Sequence, residues 1–463
     1  MARRYLVVSD LHLCDVEDHP DGWKRYKRQS YVFDDEFAAL LDDFLAAGGD
    51  EFTLVLNGDI FDFDLVSAVP DDPPFPVSRA ERRRGLDATA AKSRWKLERV
   101  LAHHPRFVAA LAEFLARGHE VVYVLGNHDR EVHFPAVRAA LEAALQRAGA
   151  APAAAPPGFR PRFRIEEWFY YVPGELYAEH GHQYDYYSSF RHLLAPTVEV
   201  GGEQVVAVPM GNLSNRYLLS RMGFFNPHTG EYILNIFRYL AHWVRHYAWS
   251  RRGLVVPWLW GSLVVMATLL NLKRKLLPTP ATQVAGLAET ARRYALPAET
   301  TAALWGLQRP PITERFFRII REFWIDRLLI AVLMTGGTIA LALVPIPLWI
   351  KLMVPLSSFP LLYFIYEWLA RGETIFSIEK KLPGYARQIA ALLPTQVVTF
   401  GHTHVPRLIP LDDAVAFVDT GTWAPITRPR DDTRLAPGYH KYLVVEPGGA
   451  RPCLKFGCWH RTA

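Results

Sequence analysis

Five times in this chain a short apolar run breaks off into a polar turn that holds aspartate, asparagine or histidine. They are YLVVSDLH (5–12), FTLVLNGD (52–59), VVYVLGNHD (121–129), LYAEHGH (176–182) and VVTFGHTH (397–404). Apolar runs this short, rich in β-branched residues and closed by turn-forming residues, read as buried strands. Between the first two, residues 35–47 place Phe37, Leu40, Leu41, Phe44 and Leu45 on one helical face and stop at Gly48-Gly49. A second amphipathic stretch, 107–117, is closed by Gly118 before the third run. Glycine just past the last periodic residue is a helix stop. Strand, helix and strand alternate, so the chain belongs to the α/β class. Open α/β sheets hold ligands at the carboxyl ends of their strands, where these polar turns fall.

The region from 187 to 390 has a different character. Gly253–Leu272 carries no charge and is flanked by Arg251-Arg252 and Lys273-Arg274-Lys275, and Leu328–Ile350 and Leu352–Tyr366 are separated only by Lys351. Runs of about twenty apolar residues can cross a bilayer. If the flanking α/β pieces form one site, they share a side, and the number of crossings is even. Either Gly253–Leu272 pairs with one span in 328–366 or nothing crosses. Full crossing by that pair would export the segment 273–327, which holds ten Lys/Arg and five Asp/Glu, against the preference of basic loops for the cytoplasm. A hairpin in one leaflet, or amphipathic helices lying on it, avoids the conflict. The alternative is a large internal helical core.

The strand-and-turn pattern returns after residue 394 with TQVVTFGHTH, AVAFVDTGTW and KYLVVEP. The expected organisation is therefore one α/β domain built from 1–186 and 391–463, with 187–390 as a hydrophobic, mostly helical insertion. GAAPAAAPPGFRP (149–161) reads as an exposed linker or long loop. With 463 residues the chain can bury a full core. A net charge of +5 and a pI near 9.0 suit phosphates or acidic lipid surfaces, and nucleic acid is not expected as a partner. Three cysteines are too few for a disulfide framework, and the opening MARRYLVVSDLHL lacks the apolar stretch of a signal peptide. The expected location is the cytoplasmic face of a membrane.

Taken singly, Asp10-Leu11-His12 or Asn57-Gly58-Asp59 could be an ordinary turn. The pair His402 and His404 is stronger, because imidazoles at i and i+2 point the same way and histidine suits borderline metals. As a set, Asp10, His12, Asp59, Asn127, His180, His402 and His404 offer the mixed oxygen and nitrogen ligands that two adjacent divalent ions require.

DLH (10–12), GDIFD (58–62), GNHD (126–129), HGH (180–182) and GHTH (401–404), in this order, resemble the five blocks of the calcineurin-like metallophosphoesterases, and DTGTW (419–423) resembles the strand after the last block. The resemblance covers about 1–185 and 394–460. It implies a four-layer α/β/β/α sandwich with a dinuclear site at the strand ends. By that resemblance Asp10, His12, Asp59 and His404 match the ligands of one metal, with Asp59 bridging, and Asn127, His180 and His402 match those of the other. His128 matches the family's catalytic histidine, and Asp129 is expected to orient it. The metals implied are two divalent ions, Mn²⁺ first, with Fe, Zn or Mg as alternatives. Such ions polarise phosphoryl oxygens and activate water. Asp62, Asp64 and Asp185 are candidates to accept N–H bonds from metal-bound imidazoles, the alternative being solvated loop residues, and His182 is either a substrate contact or an ordinary polar turn residue. The basic stretch RAERRRG, with Lys92, Arg94 and Lys96, could hold an anionic headgroup or simply form a solvated helix face.

DLHL near the start and a helical insertion before the final GHTH resemble the UDP-2,3-diacylglucosamine hydrolases. This chain departs from them in having GNHD in place of GNRD and a longer, more apolar insertion. The expected function is hydrolysis of a phosphoester or pyrophosphate bond in a lipid or lipid-linked nucleotide at the membrane. The alternatives are a membrane-tethered phosphatase of soluble substrates, phosphoprotein or cyclic nucleotide, and a non-catalytic metal-binding membrane scaffold.

Overall fold

The structure, a computed structural model, describes residues 4–17, 23–46, 51–149, 162–218, 241, 244–245, 255–276, 279–370, 378–424, 440–446 and 452–459. Most of the Ala/Pro-rich 149–161 stretch and the first residues of the 253–272 run lie outside the described residues.

The strands are β1 (Arg4–Val8), β2 (Phe52–Asn57), β3 (Glu120–Val124), β4 (Phe163–Glu166), β5 (Phe169–Val172), β6 (Leu176–Glu179), β7 (Thr197–Val200), β8 (Glu203–Val206), β9 (Val397–Phe400), β10 (Arg407–Pro410), β11 (Ala416–Asp419), β12 (Lys441–Glu446) and β13 (Cys453–Cys458). One sheet has the order β13-β12-β1-β2-β3-β4, and a second has β10-β11-β9-β6-β5. Strands β1 to β4 run parallel, with β12 antiparallel against β1. In the second sheet β6, β9 and β11 run parallel. The first part of the chain and its last residues thus share both sheets.

Side chains alternate across a strand, and this places Tyr5, Val7, Val55, Val122 and Val124 on the inner face of the first sheet. They meet Tyr170, Leu176, Ala178, Val397 and Val418 of the second in one buried core. The helices Asp34–Ala46, Pro105–Ala116 and Pro135–Gly149 pack on one another beside the first sheet, with Pro105–Ala116 against β3. Helices of the inserted region cover the second sheet's outer face. Tyr294, just past the end of helix Ala281–Arg293, stacks on Phe169 at 5.1 Å, and Trp305 of Ala298–Gly306 meets Trp168 at 5.6 Å. The result is helix, sheet, sheet, helix in four layers.

Two compact units divide the chain: 1–311 with 379–463, and 312–378. The boundary of the smaller one falls inside the 187–390 stretch, whose first part joins the sheets. Helix Val255–Lys275 turns Ser262, Val265, Leu269 and Leu272 inward and packs on helix Met210–Tyr217, while Leu259, Trp260, Leu263 and Leu270 stay exposed.

The smaller unit contains two helices long and apolar enough to cross a membrane, Ile325–Leu343 and Leu348–Leu369, of 19 and 22 residues and with none of their apolar windows buried. At a rise of about 1.5 Å per residue each is close to the ~30 Å hydrocarbon thickness. Asp326 and Arg327 at the start of the first tie to Tyr366 and Glu367 at the end of the second: Arg327 Nε donates to Glu367 Oε1 at 2.7 Å, and Tyr366 donates to Asp326. The two apolar helices pair with each other, and of the alternatives the sequence left open, the pairing of Gly253–Leu272 with one span in 328–366 is not the one seen among the described residues.

Candidate metal centre

The first two motif turns are joined beyond the ends of their strands. Asp10 N donates to Gly58 O at 3.0 Å, His12 N to Asp59 O at 2.9 Å, Leu13 N to Ile60 O at 2.9 Å and Asp62 N to Leu13 O at 2.9 Å. The last turn is anchored on the first, as His402 N donates to Asp10 Oδ1 at 3.1 Å and Thr422 Oγ1 to Asp10 O at 2.7 Å. Five of the metal-ligand candidates stand in the left-handed region: Asp10, His12, Asp59, His402 and His404, with φ from 51° to 71°. Residues other than glycine adopt this region at a cost of about 1–2 kcal/mol each. The backbone bonds between turns hold them there, and such strain gathers at functional sites.

Two glycines let the turns cross. A Cβ on Gly126 would lie 2.2 Å from Asp59 Oδ1, and one on Gly401 would lie 2.3 Å from Asp10 Oδ2. Each motif glycine thus makes room for a carboxylate from another motif.

These constraints gather the side chains into groups that could hold a metal ion: Asp10, His12 and His404; Asp59, His180 and His402; and His12, Asp62 and His128. The hydrogen bonds decide which ring nitrogens are available. His180 Nδ1 lies 3.0 Å from Asn57 O, a carbonyl that can only accept, so Nδ1 carries the hydrogen. Its Nε2 is then a lone pair 3.0 Å from Asp59 Oδ2, and it makes no hydrogen bond. His12 Nδ1 faces Asp62 Oδ2 at 3.1 Å, which leaves Nε2 pointing at His404 Nε2 at 3.0 Å. His404 Nε2 in turn lies 3.3 Å from Asp10 Oδ1. His402 Nε2 meets Asp185 Oδ2 at 3.2 Å, leaving its other nitrogen for the site. Asn127 Oδ1 is buried and makes no hydrogen bond.

Where the His180 Nε2 faces the Asp59 carboxylate and Asn127 Oδ1 has no donor, a positive charge is called for, and a divalent cation supplies one. Without an ion, burial opposes a charge on His180, yet Asp59 and Asp10 outweigh it and raise that imidazole to about 9, so a proton takes the place at Nε2 that a metal would fill. Burial likewise favours a neutral Asp59, but the surrounding His180 and His128 hold it well below the ordinary carboxylate range. Oxygen and imidazole donors of this mixture fit a borderline divalent ion.

A profile of the calcineurin-like phosphoesterases matches residues 3–246. The chain belongs to this family. No curated protein matches the chain. As a calcineurin-like phosphoesterase it is a hydrolase of phosphoric esters, and the clustered carboxylates and imidazoles agree with a family that works with divalent metals.

Two expected roles change. Asp129 does not orient His128, because its carboxylate is occupied elsewhere: Oδ1 accepts from Gly126 N at 2.6 Å, and Oδ2 from Ile60 N at 2.9 Å and Tyr123 OH at 2.6 Å. It fastens the third turn to the second. Burial and the neighbouring Asp59 raise its carboxyl to about 7. The carboxylates beside His128 are Asp64 and Asp62, whose oxygens lie 3.2 and 3.3 Å from its Nδ1. His182 is also displaced from its expected role as a substrate contact. It is 2% exposed and packs behind the rings of His180 and His402 at 5.4 and 6.4 Å, against Phe190. Burial and the nearby Arg130 hold it well below the ordinary imidazole range, so it supports the ligand rings as a neutral group.

Asp62, Asp64 and Asp185 each meet an imidazole as described. Of the two readings of the basic stretch, the headgroup site loses its lysines. Lys92 pairs with Glu81 at 2.7 Å and Lys96 with Glu131 at 3.0 Å, both buried, so neither is available to a headgroup. Asn212 was invisible in the sequence. It is fully buried, belongs to the inserted region and bonds to Asn127; its surroundings, MGNLSNRY, carry no motif.

Proposed function

We propose that this phosphoesterase uses two divalent ions, Mn²⁺ first among them, to hydrolyse a phosphoester or pyrophosphate bond in a lipid or lipid-linked nucleotide at the cytoplasmic face of a membrane. One ion would be held by Asp10, His12, Asp59 and His404, and the other by Asp59, Asn127, His180 and His402. The observation that supports the two-ion reading is the pair of adjoining groups in which carboxylates and imidazoles from different turns converge, with His180 Nε2 facing Asp59 Oδ2 at 3.0 Å. When bound, divalent ions supply Lewis-acid polarisation of a phosphoryl oxygen and activation of water.

The chain's own residues do the rest. Asp62 and Asn57 O fix the tautomers of His12 and His180, so both rings present Nε2. The Asp62 and Asp64 carboxylates hold His128 by Nδ1 and leave Nε2 for the leaving oxygen. Burial disfavours a charged His128, yet Asp62 and Asp59 outweigh it and raise its imidazole well above the ordinary range. A protonated His128 can donate to the departing alkoxide or phosphate.

The lipid side of the reading is supported by the exposed apolar face Leu259, Trp260, Leu263 and Leu270 in the unit that holds the site, and by the apolar hairpin of the other unit. The sequence likeness to UDP-2,3-diacylglucosamine hydrolases points the same way. The test compares turnover of a diacylated substrate with that of its water-soluble headgroup. A strong preference for the acylated form is expected. Equal rates would favour a tethered phosphatase of soluble substrates, and no turnover of any phosphoester by the Mn²⁺-loaded protein would favour a metal-binding scaffold.

A further inference from the structure

The helix Met210–Tyr217 lies in the inserted region, outside all five motif turns, and yet it reaches the centre of the site. Its Asn212 is 0% exposed and uses its whole amide. Asn127 Nδ2 donates to Asn212 Oδ1 at 3.2 Å, while Asn212 Nδ2 donates to Asn127 O at 3.0 Å and to Asp64 Oδ2 at 2.6 Å. These bonds fix each other's direction. Asp64 and the Asn127 carbonyl can only accept, so they compel the Nδ2 side of Asn212 toward them and leave Oδ1 for Asn127. Asn127 must then present its own Nδ2 to Asn212, and its buried Oδ1, which makes no hydrogen bond, is left as the free end of that amide. The same Asp64 Oδ2 lies 3.2 Å from His128 Nδ1.

The helix is held in register by independent contacts. Arg216 donates to Gly85 O at 3.0 Å and to Leu86 O, and it lies 3.2 Å from Asp87 Oδ1. Gly211 lies where a Cβ would be 3.0 Å from Tyr187 Cδ1, so the helix approaches the segment after the HGH turn closely.

We propose that Asn212 is a positioning residue through which the insertion completes the active site, clamping the Asn127 amide with its oxygen toward the metals and, through Asp64, the ring of His128. The inference rests on the two-ion reading. It also goes beyond it, because it makes the inserted region part of the catalytic machinery instead of a separate lid or anchor. Buried partners of metal ligands commonly change affinity or activity by about 10–100-fold when removed.

The experiment uses the full-length protein with Mn²⁺ as the probe. It measures binding stoichiometry and affinity by calorimetry, and kcat and KM on phenyl and p-nitrophenyl phosphodiesters. Wild type is expected to bind two Mn²⁺. Asn212→Leu, which keeps the branching of the side chain and removes its polar atoms, should weaken one of the two by roughly 10–100-fold and lower kcat by a similar factor with KM little changed. It should slow the phenyl ester more than the p-nitrophenyl ester, because the poorer leaving group depends more on His128. Asn212→Asp keeps an acceptor for Asn127 but sets a second carboxyl against Asp64, where the two share a proton and Asp64 is weakened as an acceptor for His128. It should therefore restore most of the Mn²⁺ affinity while retaining the leaving-group defect, and it carries the test if Asn212→Leu does not fold. Ser214→Ala, on the same helix, should behave as wild type. Two Mn²⁺ bound as tightly as in wild type, with unchanged leaving-group dependence in either Asn212 variant, would overturn the clamp. A wild-type protein that binds no Mn²⁺ would overturn the two-ion reading and the clamp together.

Discussion

Gly126→Ala adds one methyl group and reaches the centre of the site. The added Cβ would stand 2.2 Å from Asp59 Oδ1 and 2.6 Å from Asp59 N, where ordinary contact begins at 3.4 Å. The shortfall exceeds an ångström at the Asp59 carboxylate and is smaller but still present at its backbone nitrogen, so a rotamer change in Asp59 relieves only part of it. Asp59 Oδ1 also accepts from His128 N at 2.7 Å, and a displaced Asp59 therefore carries the third turn with it. Misplacement of about 1 Å in reacting groups can cost about 10²-fold in rate. That equals about 2.7 kcal/mol of transition-state stabilisation at about 1.36 kcal/mol per tenfold. The assay is kcat/KM for a p-nitrophenyl phosphodiester with Mn²⁺, alongside a thermal melt that confirms folding. Gly174→Ala serves as the contrast. Its φ of +77° makes alanine strained, but no atom lies within 4 Å, so it should lose about 1–2 kcal/mol of stability and no activity. A folded Gly126→Ala protein with activity within about threefold of wild type would refute the reasoning that close approach of the turns builds the site.

His128→Ala should lower kcat by about 10²–10⁴-fold on esters with poor leaving groups, and far less on p-nitrophenyl esters, a split that steady-state kinetics on the two classes will show. Asp129→Ala strands the buried donors Ile60 N, Gly126 N and Tyr123 OH; a stability loss of at least about 3 kcal/mol is expected in urea titration. Glu81 gives a pH signature. Burial works to raise its carboxyl, but Lys92 and the backbone N–H groups of Asp87 and Ser78 outweigh it and hold it at about 2 against the ordinary 4.5. A carboxyl lowered in the folded state stabilises above 4.5, and that contribution fades as pH falls toward 2. The melting-temperature gap between wild type and Glu81→Gln should therefore be wide at pH 6 and narrow steadily through pH 3.

The five strand-and-turn motifs were legible because each is local. A strand ending in a polar turn needs only a few adjacent residues to announce itself, and the order of the five fixes where the chain must return to the sheets. Asp129 was misread for the same reason. Adjacency to His128 suggested a partner, whereas the turn carries its carboxylate back onto the Gly126 and Ile60 amides and gives His128 to Asp62 and Asp64 of another motif. His182 shows the same limit, since spacing alone could not tell that its ring turns behind His180 into the core. In the apolar region, charge-free length marked Gly253–Leu272 and 328–366 alike. Only packing separates them: the first is docked on the Met210–Tyr217 helix by one buried stripe, and the others form a hairpin closed at its base by Asp326, Arg327, Tyr366 and Glu367.

By itself the sequence determined the α/β alternation, the residue types at the site and the apolar insertion, because those depend on periodicity and on the chemistry of single side chains. Tertiary structure decided the left-handed backbone at five of the candidate ligands, the tautomers set by Asn57 O and Asp62, and the entry of Asn212 from the insertion. Those depend on contacts between residues far apart in the chain, from 50 positions between His12 and Asp62 and 123 between Asn57 and His180 to 392 between Asp10 and His402, and no local pattern encodes such distances.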